Sequence, residues 1–152
     1  MSTASRGRVR ARSAARRLVI QALYQWQLTH EPWQDLHQQF LASEEAARVD
    51  PADFRLLLQG VCEQREALDA ELGRYSGIPV AQLDPVEHAI VWLGLHELLH
   101  APEVPYRVVI NEAVELARKF GATDGHRFVN AVLDRAAAVH RSAERAAVAR
   151  DG

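Results

Sequence analysis

The chain has 152 residues, 48% of them apolar and 25% charged, with a formal net charge of −2. That length suits one domain or two small subdomains sharing a core, and the composition is that of a soluble globular protein rather than a disordered or fibrous one. A single cysteine, Cys62, excludes a disulfide framework or a cysteine-based zinc site within the chain and fits a reducing cytoplasm; no apolar run approaches bilayer-spanning length.

The first 30 residues hold Arg6, Arg8, Arg10, Arg12, Arg16 and Arg17 and no acid. Removing these six from the 18 basic residues leaves 12 against all 20 acids, so the remainder carries a net −8. A basic arm on an acidic body points to a polyanionic partner, nucleic acid foremost, with a solvated, disordered start as the bland alternative. The uncharged stretch after the arginines is interrupted by Gln21, Gln25 and Gln27 and is not followed by a small-residue cleavage site, which rejects a secretory signal.

Sustained period-two alternation is missing, and apolar stripes of helical spacing recur, which predicts an all-α fold of about six or seven helices. Residues 1–12 read as a flexible arginine-rich arm and 13–29 as the first helix, ended by Pro32. At about 100° per residue, Val19, Ala22, Leu23 and Trp26 share one stripe, whereas Tyr24 falls about 140° from Val19 beside Arg17 and Gln21. A shorter helix over 33–46 uses Trp33, Leu36 and Phe40. Asp50-Pro51 caps a long third helix that carries Phe54, Leu57, Leu58, Val61, Leu68 and Leu72. Ser76-Gly77-Ile78-Pro79 is the clearest break, which sets an N-terminal subdomain at 13–76 and a C-terminal one at 77–147.

Asp84-Pro85-Val86-Glu87 then caps a helix that is apolar nearly all round through Leu99, the expected buried centre, with Glu87 at the capping-box position. Pro105 opens the next helix, with Val109, Ile110, Ala113, Val114, Leu116, Ala117 and Phe120 inside and Gly121 as its stop. Thr123 and Asp124 are both able to cap a last helix whose stripe is Val129, Val132, Leu133 and Ala136. From Glu144 onward large apolar residues run out, and 148–152 reads as a frayed tail.

One catalytic motif is present. His96-Glu97-Leu98-Leu99-His100 matches H-E-x-x-H, the helical pattern of zinc hydrolases. About 0.025 such matches are expected by chance in a chain of this composition, so context decides. Pro102 breaks the helix before a third histidine of the extended motif, the helix is too apolar to line a wet cleft, and a basic residue in a last turn complements the helix dipole. The histidines therefore read as structural, and neither a catalytic residue nor a metal site is assigned. Cys62 has no evident His or Asn partner, and no Gly-rich phosphate loop occurs.

Two stretches suit RNA. Arginines neutralise phosphates, and the Tyr24 ring on the polar face of the first helix either stacks on a base or packs under a loop. Further along, Arg118, Lys119 and Arg127 flank a helix N-terminus, which favours anions, and Phe128 lies between core and base-stacking surface.

Arg12-Ser-Ala-Ala-Arg16-Arg17-Leu-Val-Ile-Gln21-Ala-Leu-Tyr24-Gln-Trp26, Val104-Pro-Tyr-Arg-Val-Val-Ile-Asn111-Glu112-Ala-Val-Glu115-Leu-Ala-Arg-Lys119-Phe-Gly121 and Asp124-Gly-His-Arg-Phe128-Val-Asn130-Ala-Val-Leu-Asp134 resemble, in order and spacing over essentially the full chain, the NusB family of bacterial antitermination factors. The resemblance implies an all-helical, two-subdomain, non-enzymatic cytoplasmic protein that needs no cofactor, small-molecule substrate or membrane. It implies binding of boxA in nascent ribosomal RNA together with NusE, the ribosomal small-subunit protein S-ten, in an antitermination complex on RNA polymerase. On the residues of this chain it implies an RNA surface of Arg8, Arg10, Arg12, Arg16, Arg17, Gln21, Tyr24, Lys119, Thr123, Asp124, His126, Arg127, Phe128 and Asn130, and a protein-partner face near Glu87, His88 and Val91. The arm is longer than in many members, and His96 stands where an aromatic often precedes Glu-Leu, so the zinc match is incidental to a packing helix. The rival to the free factor is the similar RNA-binding module at the start of some ribosomal RNA cytosine methyltransferases; no cofactor-binding domain follows here.

Overall fold

A single helix, α1 (Thr3–Thr29), replaces the expected arm and first helix. Residues 3–12 contain no proline, and adding a residue to an existing helix costs little once nucleation is complete. The repulsion among Arg8, Arg12 and Arg16 at i, i+4 spacing amounts to only about 0.2–0.5 kcal/mol per pair. This computed structural model describes residues 3–151, with side chains from residue 6. Among the described residues there are eight α-helices, two 3-10 helices and no strand.

The chain divides into two compact units at Gln64–Arg65. In the first, α1 packs against α2 (Trp33–Leu41), α3 (Pro51–Glu63) and the 3-10 helix Glu44–Arg48. Ala15, Leu18, Val19, Ile20, Ala22 and Leu23 of α1 are buried, as are Leu36, Phe54, Leu58 and Val61. Asp50 caps α3 by accepting from the Ala52 N–H at 2.9 Å, with Pro51 in the first turn. Burial, and then Glu63, push the Cys62 thiol up to about 12, which leaves it protonated and unreactive near neutrality.

The expected long third helix is two helices. Backbone at Gln64 leaves helical geometry (φ −114, ψ 16), and α4 (Arg65–Tyr75) belongs to the second unit. The apolar stripe continues across the break because both helices bury one face: Leu68, Leu72 and Tyr75 of α4 are buried as α4 packs on later helices of its own unit. The boundary therefore precedes α4 rather than falling at Ser76–Pro79.

In the second unit α5 (Pro85–His100) packs against α4, α6 (Tyr106–Phe120) and α7 (Gly125–His140). It buries every residue from Ala89 to Leu95, as its all-round apolar character predicts. Gly94 permits the approach of α7, since a Cβ there would stand 2.7 Å from Leu133 Cδ1. Asp84 caps α5 by accepting from the Val86 and Glu87 N–H groups at 2.8 and 3.3 Å. Phe120, expected inside, is 46% exposed: it is the last residue of α6, and the apolar face ends one turn earlier at Leu116 and Ala117. The final stretch, expected to fray, is a helix, α8 (Ser142–Asp151), packed on α7.

Candidate nucleic-acid interface

In the first unit α1 carries the expected basic residues, Arg10 and Arg17 on its polar face and Arg8 and Arg12 before its buried segment begins at Ala15. Arg8, Arg10 and Arg17 are exposed, and Arg12 and Gln21 are partly so. Tyr24, seven residues after Arg17, is 41% exposed, so its ring faces solvent rather than the core. Arg16 departs from this pattern. It sits three residues before Val19 and seven before Leu23, at the margin of the apolar stripe, and is only 3% exposed. Its guanidinium is a buried group of the unit and not an open phosphate ligand. An acidic edge that the sequence did not signal borders the row: Gln21 Nε2 donates to Glu45 Oε2 at 2.9 Å. Arg17 of α1 and Glu44, Glu45 and Arg48 of the 3-10 helix line one groove of about 490 Å³.

The second unit holds the remaining candidates around the α6–α7 connection. Lys119, Thr123, Asp124, Arg127 and Asn130 are exposed, and His126 and Phe128 are half-buried. Asp124 occupies the cap position of α7 in the left-handed region (φ 67) and makes no side-chain cap hydrogen bond; its carboxylate lies 3.6 Å from Arg127 Nε instead. Short polar residues tolerate that backbone conformation. His126, Arg127 and Asn130 come together with Asn111, Val114, Glu115 and Arg118 along a groove of about 390 Å³ between α6 and α7. The α6 members recur at i, i+3, i+4 and i+7, a signal of one shared face that was readable in the sequence.

Glu87 controls the shape of this connection from inside. It is 5% exposed, and its Oε1 accepts from the Ala122 N–H at 3.1 Å. Gly121 ends α6 in extended backbone, and it is glycine for reasons of space: a Cβ there would lie 2.7 Å from Ala117 O and 3.1 Å from Glu87 Oε1. A Cβ on Gly125 would overlap the same carboxyl oxygen outright. Oε2 is buried and receives no N–H or O–H. Burial first, and then the hydrogen bond shared with Asp84, push the Glu87 carboxyl up to about 7. That shared bond is also the leading reason the Asp84 carboxyl lies below its usual range. Glu87 thus keeps its proton in slightly acidic solution.

A model of the NusB family matches residues 13–138. The chain belongs to the NusB family. Among relatives named transcription antitermination protein NusB, that of Shewanella halifaxensis is 46% identical over 130 residues, covering 86% of this chain and 96% of the relative. That of Alcanivorax borkumensis is 49% identical over 134 residues, covering 88% and 89%. Among solved structures, T. maritima NusB superposes with a TM-score of 0.78 at 28% identity over 85% of this chain and 92% of that one. A NusB chain described as antitermination factors NusB and NusE in complex with dsRNA has the same fold, with a TM-score of 0.74 at 23% identity, covering 84% and 96%.

For this NusB-family chain, the residues that the resemblance sets on a partner face are mostly interior. Glu87 and Val91 offer no face to a partner protein: Val91 is fully buried in α5, and Glu87 turns inward to the α6–α7 connection rather than back to the Asp84 backbone as a capping box would require. His88 is mostly buried too, with Nε2 2.8 Å from Asp69 Oδ1, which also accepts from Trp92 Nε1 at 2.7 Å. The H-E-x-x-H segment does not open into a cleft: Glu97 and Leu98 are buried, His96 is half-buried and His100 is exposed at the helix end. Glu97 is 2% exposed, the His96 and His100 rings stand 5.1 Å apart, and among the described residues no cluster of three His, Cys, Asp or Glu forms to hold a metal ion. Burial, and then His100, lower the His96 pKa to about 4. Among the described residues, no helix is long and apolar enough to cross a membrane.

Proposed function

We propose that the chain is an RNA-binding antitermination factor that takes boxA of nascent ribosomal RNA together with NusE, the ribosomal small-subunit protein S-ten, and so supports processive elongation by RNA polymerase. Family membership over residues 13–138 is the observation that carries this reading. The exposed arginines and open Tyr24 ring of α1 support it chemically, because guanidiniums bind phosphates and an uncovered aromatic stacks on any base. In the second unit Lys119, Thr123, Asp124, His126, Arg127, Phe128 and Asn130 supply further polar and aromatic contacts. Contact of one RNA with both proteins raises the affinity of each through effective concentration.

In this reading the chain performs no chemistry of its own, needs no cofactor and works in the cytoplasm. The deciding experiment is a mobility shift of boxA RNA with and without S-ten. The expected result is weak retardation by this chain alone and a tighter ternary complex when S-ten is added. An RNA affinity unchanged by S-ten, and no better for boxA than for a scrambled strand, would reject it.

A further inference from the structure

We infer that Glu87 is a positioning residue for RNA binding: its carboxyl, inside the second unit, seats the α6–α7 connection and so sets where Lys119, Thr123, Asp124 and Arg127 stand. The inference rests on the RNA-binding reading and gives a role in it to a side chain too buried to touch RNA.

The connection is short and closely fitted. It comprises residues 121–124, and its own backbone bonds are local: Gly121 N–H to Ala117 O, Gly125 N–H to Ala122 O and Arg127 N–H to Asp124 O. The Ala122 N–H instead reaches another helix, donating to the Glu87 carboxyl of α5. Both ends of the connection close on that carboxyl, since a Cβ on Gly121 would lie 3.1 Å from Oε1 and one on Gly125 would overlap it. The carboxyl is the floor on which the turn rests. Lys119, Thr123, Asp124 and Arg127 around it are exposed, and a turn lifted off the floor carries them with it.

The seat depends on a proton. Oε2 is buried and receives no N–H or O–H, and the charged group that acts on Glu87 is Asp84, at the cap of its own helix. From α6 and α7 Glu87 meets Gly121, the Ala122 N–H and Gly125, which carry no charge. Lys119, Asp124, His126 and Arg127 at those helix ends are exposed or half-buried, and Asp69 of α4 is taken up by His88 and Trp92. Ionising Glu87 therefore sets a like charge beside Asp84 in a buried place. The seated carboxyl is pushed up to about 7, by burial and then by Asp84, whereas a carboxyl released to water by a lifted turn returns toward the ordinary 4.5. The proton's support for the seated turn is complete below the ordinary value and is lost as pH rises through the seated one. Across that window each pH unit lowers the ratio of seated to lifted turn by up to about ten-fold.

The test follows affinity for a boxA RNA of about 12 nucleotides from pH 6 to 8.5 at fixed salt, with melting curves showing that every variant stays folded. Histidines in general titrate near neutrality and His126 lies on the proposed RNA surface, so each variant is also made with His126→Gln. In that background the affinity is expected to fall roughly five-fold over the range while Glu87 is present. With Glu87→Gln it should stay level, matching the Glu87 protein at pH 6 and exceeding it at pH 8.5, whereas Glu87→Ala should bind weakly throughout. The NMR signal of the Ala122 amide should titrate in step with the loss of affinity and cease to do so in Glu87→Gln.

A pH profile that Glu87→Gln leaves unchanged overturns the role, as does an Ala122 amide that does not titrate with Glu87 present. Failure of the underlying reading looks different: the Ala122 amide titrates, but the wild-type chain binds no RNA at any pH.

Discussion

Arg141 and Glu144, joined by a 2.6 Å ion pair, close the facing ends of two different helices. Arg141 donates from Nε to Leu98 O, from Nη2 to Glu97 O and Ala101 O, and from Nη1 to Val104 O. With the bond to Glu144 Oε1, every N–H of the guanidinium is used. Among these acceptors Leu98 O would otherwise face Pro102, which has no N–H to offer, whereas Glu97 O and Ala101 O also accept from the Ala101 and Val104 N–H groups. Glu144 Oε2 meanwhile accepts from the Tyr106 N–H at 2.8 Å, a donor at the start of α6 that the helix cannot satisfy. The α5–α6 turn is thus held at both ends by one clasp from the end of α7 and the start of α8.

Replacing Arg141 by Ala is expected to cost about 3 kcal/mol or more, because it strands the Leu98 and Val104 carbonyls and the Glu144 carboxylate together. Lys at this position should recover only part of the loss, since a point charge cannot reproduce the planar fork. Glu144→Ala should cost about 1 kcal/mol, the scale of a lost helix cap. Urea unfolding of the three variants checks the order, and an Arg141→Ala protein as stable as wild type would remove the clasp from the account of the fold.

This clasp also marks where sequence reading runs out. The stripes of α1, α6 and α7 were legible because burial of one face is a local, periodic property. Arg141 and Glu144 look like ordinary surface charges at i, i+3, since the groups they satisfy lie 37 to 44 residues away for Arg141 and 38 for Glu144. Glu87 misled for the same reason: a carboxylate three residues after a capping Asp signals a local bond, and its actual acceptor role is to Ala122, 35 residues on. Tyr24 and Arg17 were legible as surface from helical phase alone, but Arg16 was not, because it sits one position inside the margin of the stripe.

Glu87 makes stability depend on pH. Its carboxyl is pushed up to about 7 in the folded protein from an ordinary 4.5. The folded state therefore binds the extra proton between these values. The resulting stabilisation is fully present below the unfolded value, falls as pH rises through that window and is gone above the folded value. At roughly 1.4 kcal/mol for each ten-fold change in proton affinity, its size is about 3 kcal/mol. Glu87→Gln keeps an uncharged acceptor for Ala122 without titrating. It should match wild type in mild acid, exceed it above pH 7 and remove this part of the pH slope. Thermal melts from pH 5 to 8 distinguish this from a variant that is simply weaker throughout, the outcome expected of Glu87→Ala.

Gly125→Ala should be as harmful as losing the Glu87 carboxyl, because the new methyl occupies the space of Oε1 and must displace it from Ala122. A double-mutant cycle makes the claim specific. In a Glu87→Ala background the obstruction is gone, so Gly125→Ala should cost much less than in wild type, with a coupling of about 1 kcal/mol or more. Additive losses would mean that Gly125 is required for some reason unrelated to Glu87.

Tyr24→Ala should weaken RNA binding by about 1–3 kcal/mol, the range for a base–aromatic stack, while leaving the melting temperature nearly unchanged. The ring is 41% exposed, so little burial is lost with it. Tyr24→Phe keeps the stacking face and should bind almost as wild type. Anisotropy titrations alongside melting curves separate the cases: a large fall in melting temperature would place Tyr24 in the core.

The basic start of α1 predicts a bounded salt dependence. Six arginines precede the first acid, but Arg16 is buried and does not reach a phosphate. Five contacts on single-stranded RNA give a contribution to the slope of log affinity against log salt no steeper than about −3.5, at roughly −0.7 per phosphate neutralised. Replacing Arg8 and Arg10 together by Ala can shift the measured slope by at most about 1.4 units toward zero on the same rule. Because α1 is helical from Thr3, these side chains are distributed around a helix rather than along a strand, and not all can face one backbone at once. A shift well below that bound is therefore the expected signature of arginines pointing away from the RNA. A shift near the full value would mean that this turn of α1 unwinds to follow the strand. Binding titrations between about 50 and 200 mM salt, with wild type and the double variant, decide between them.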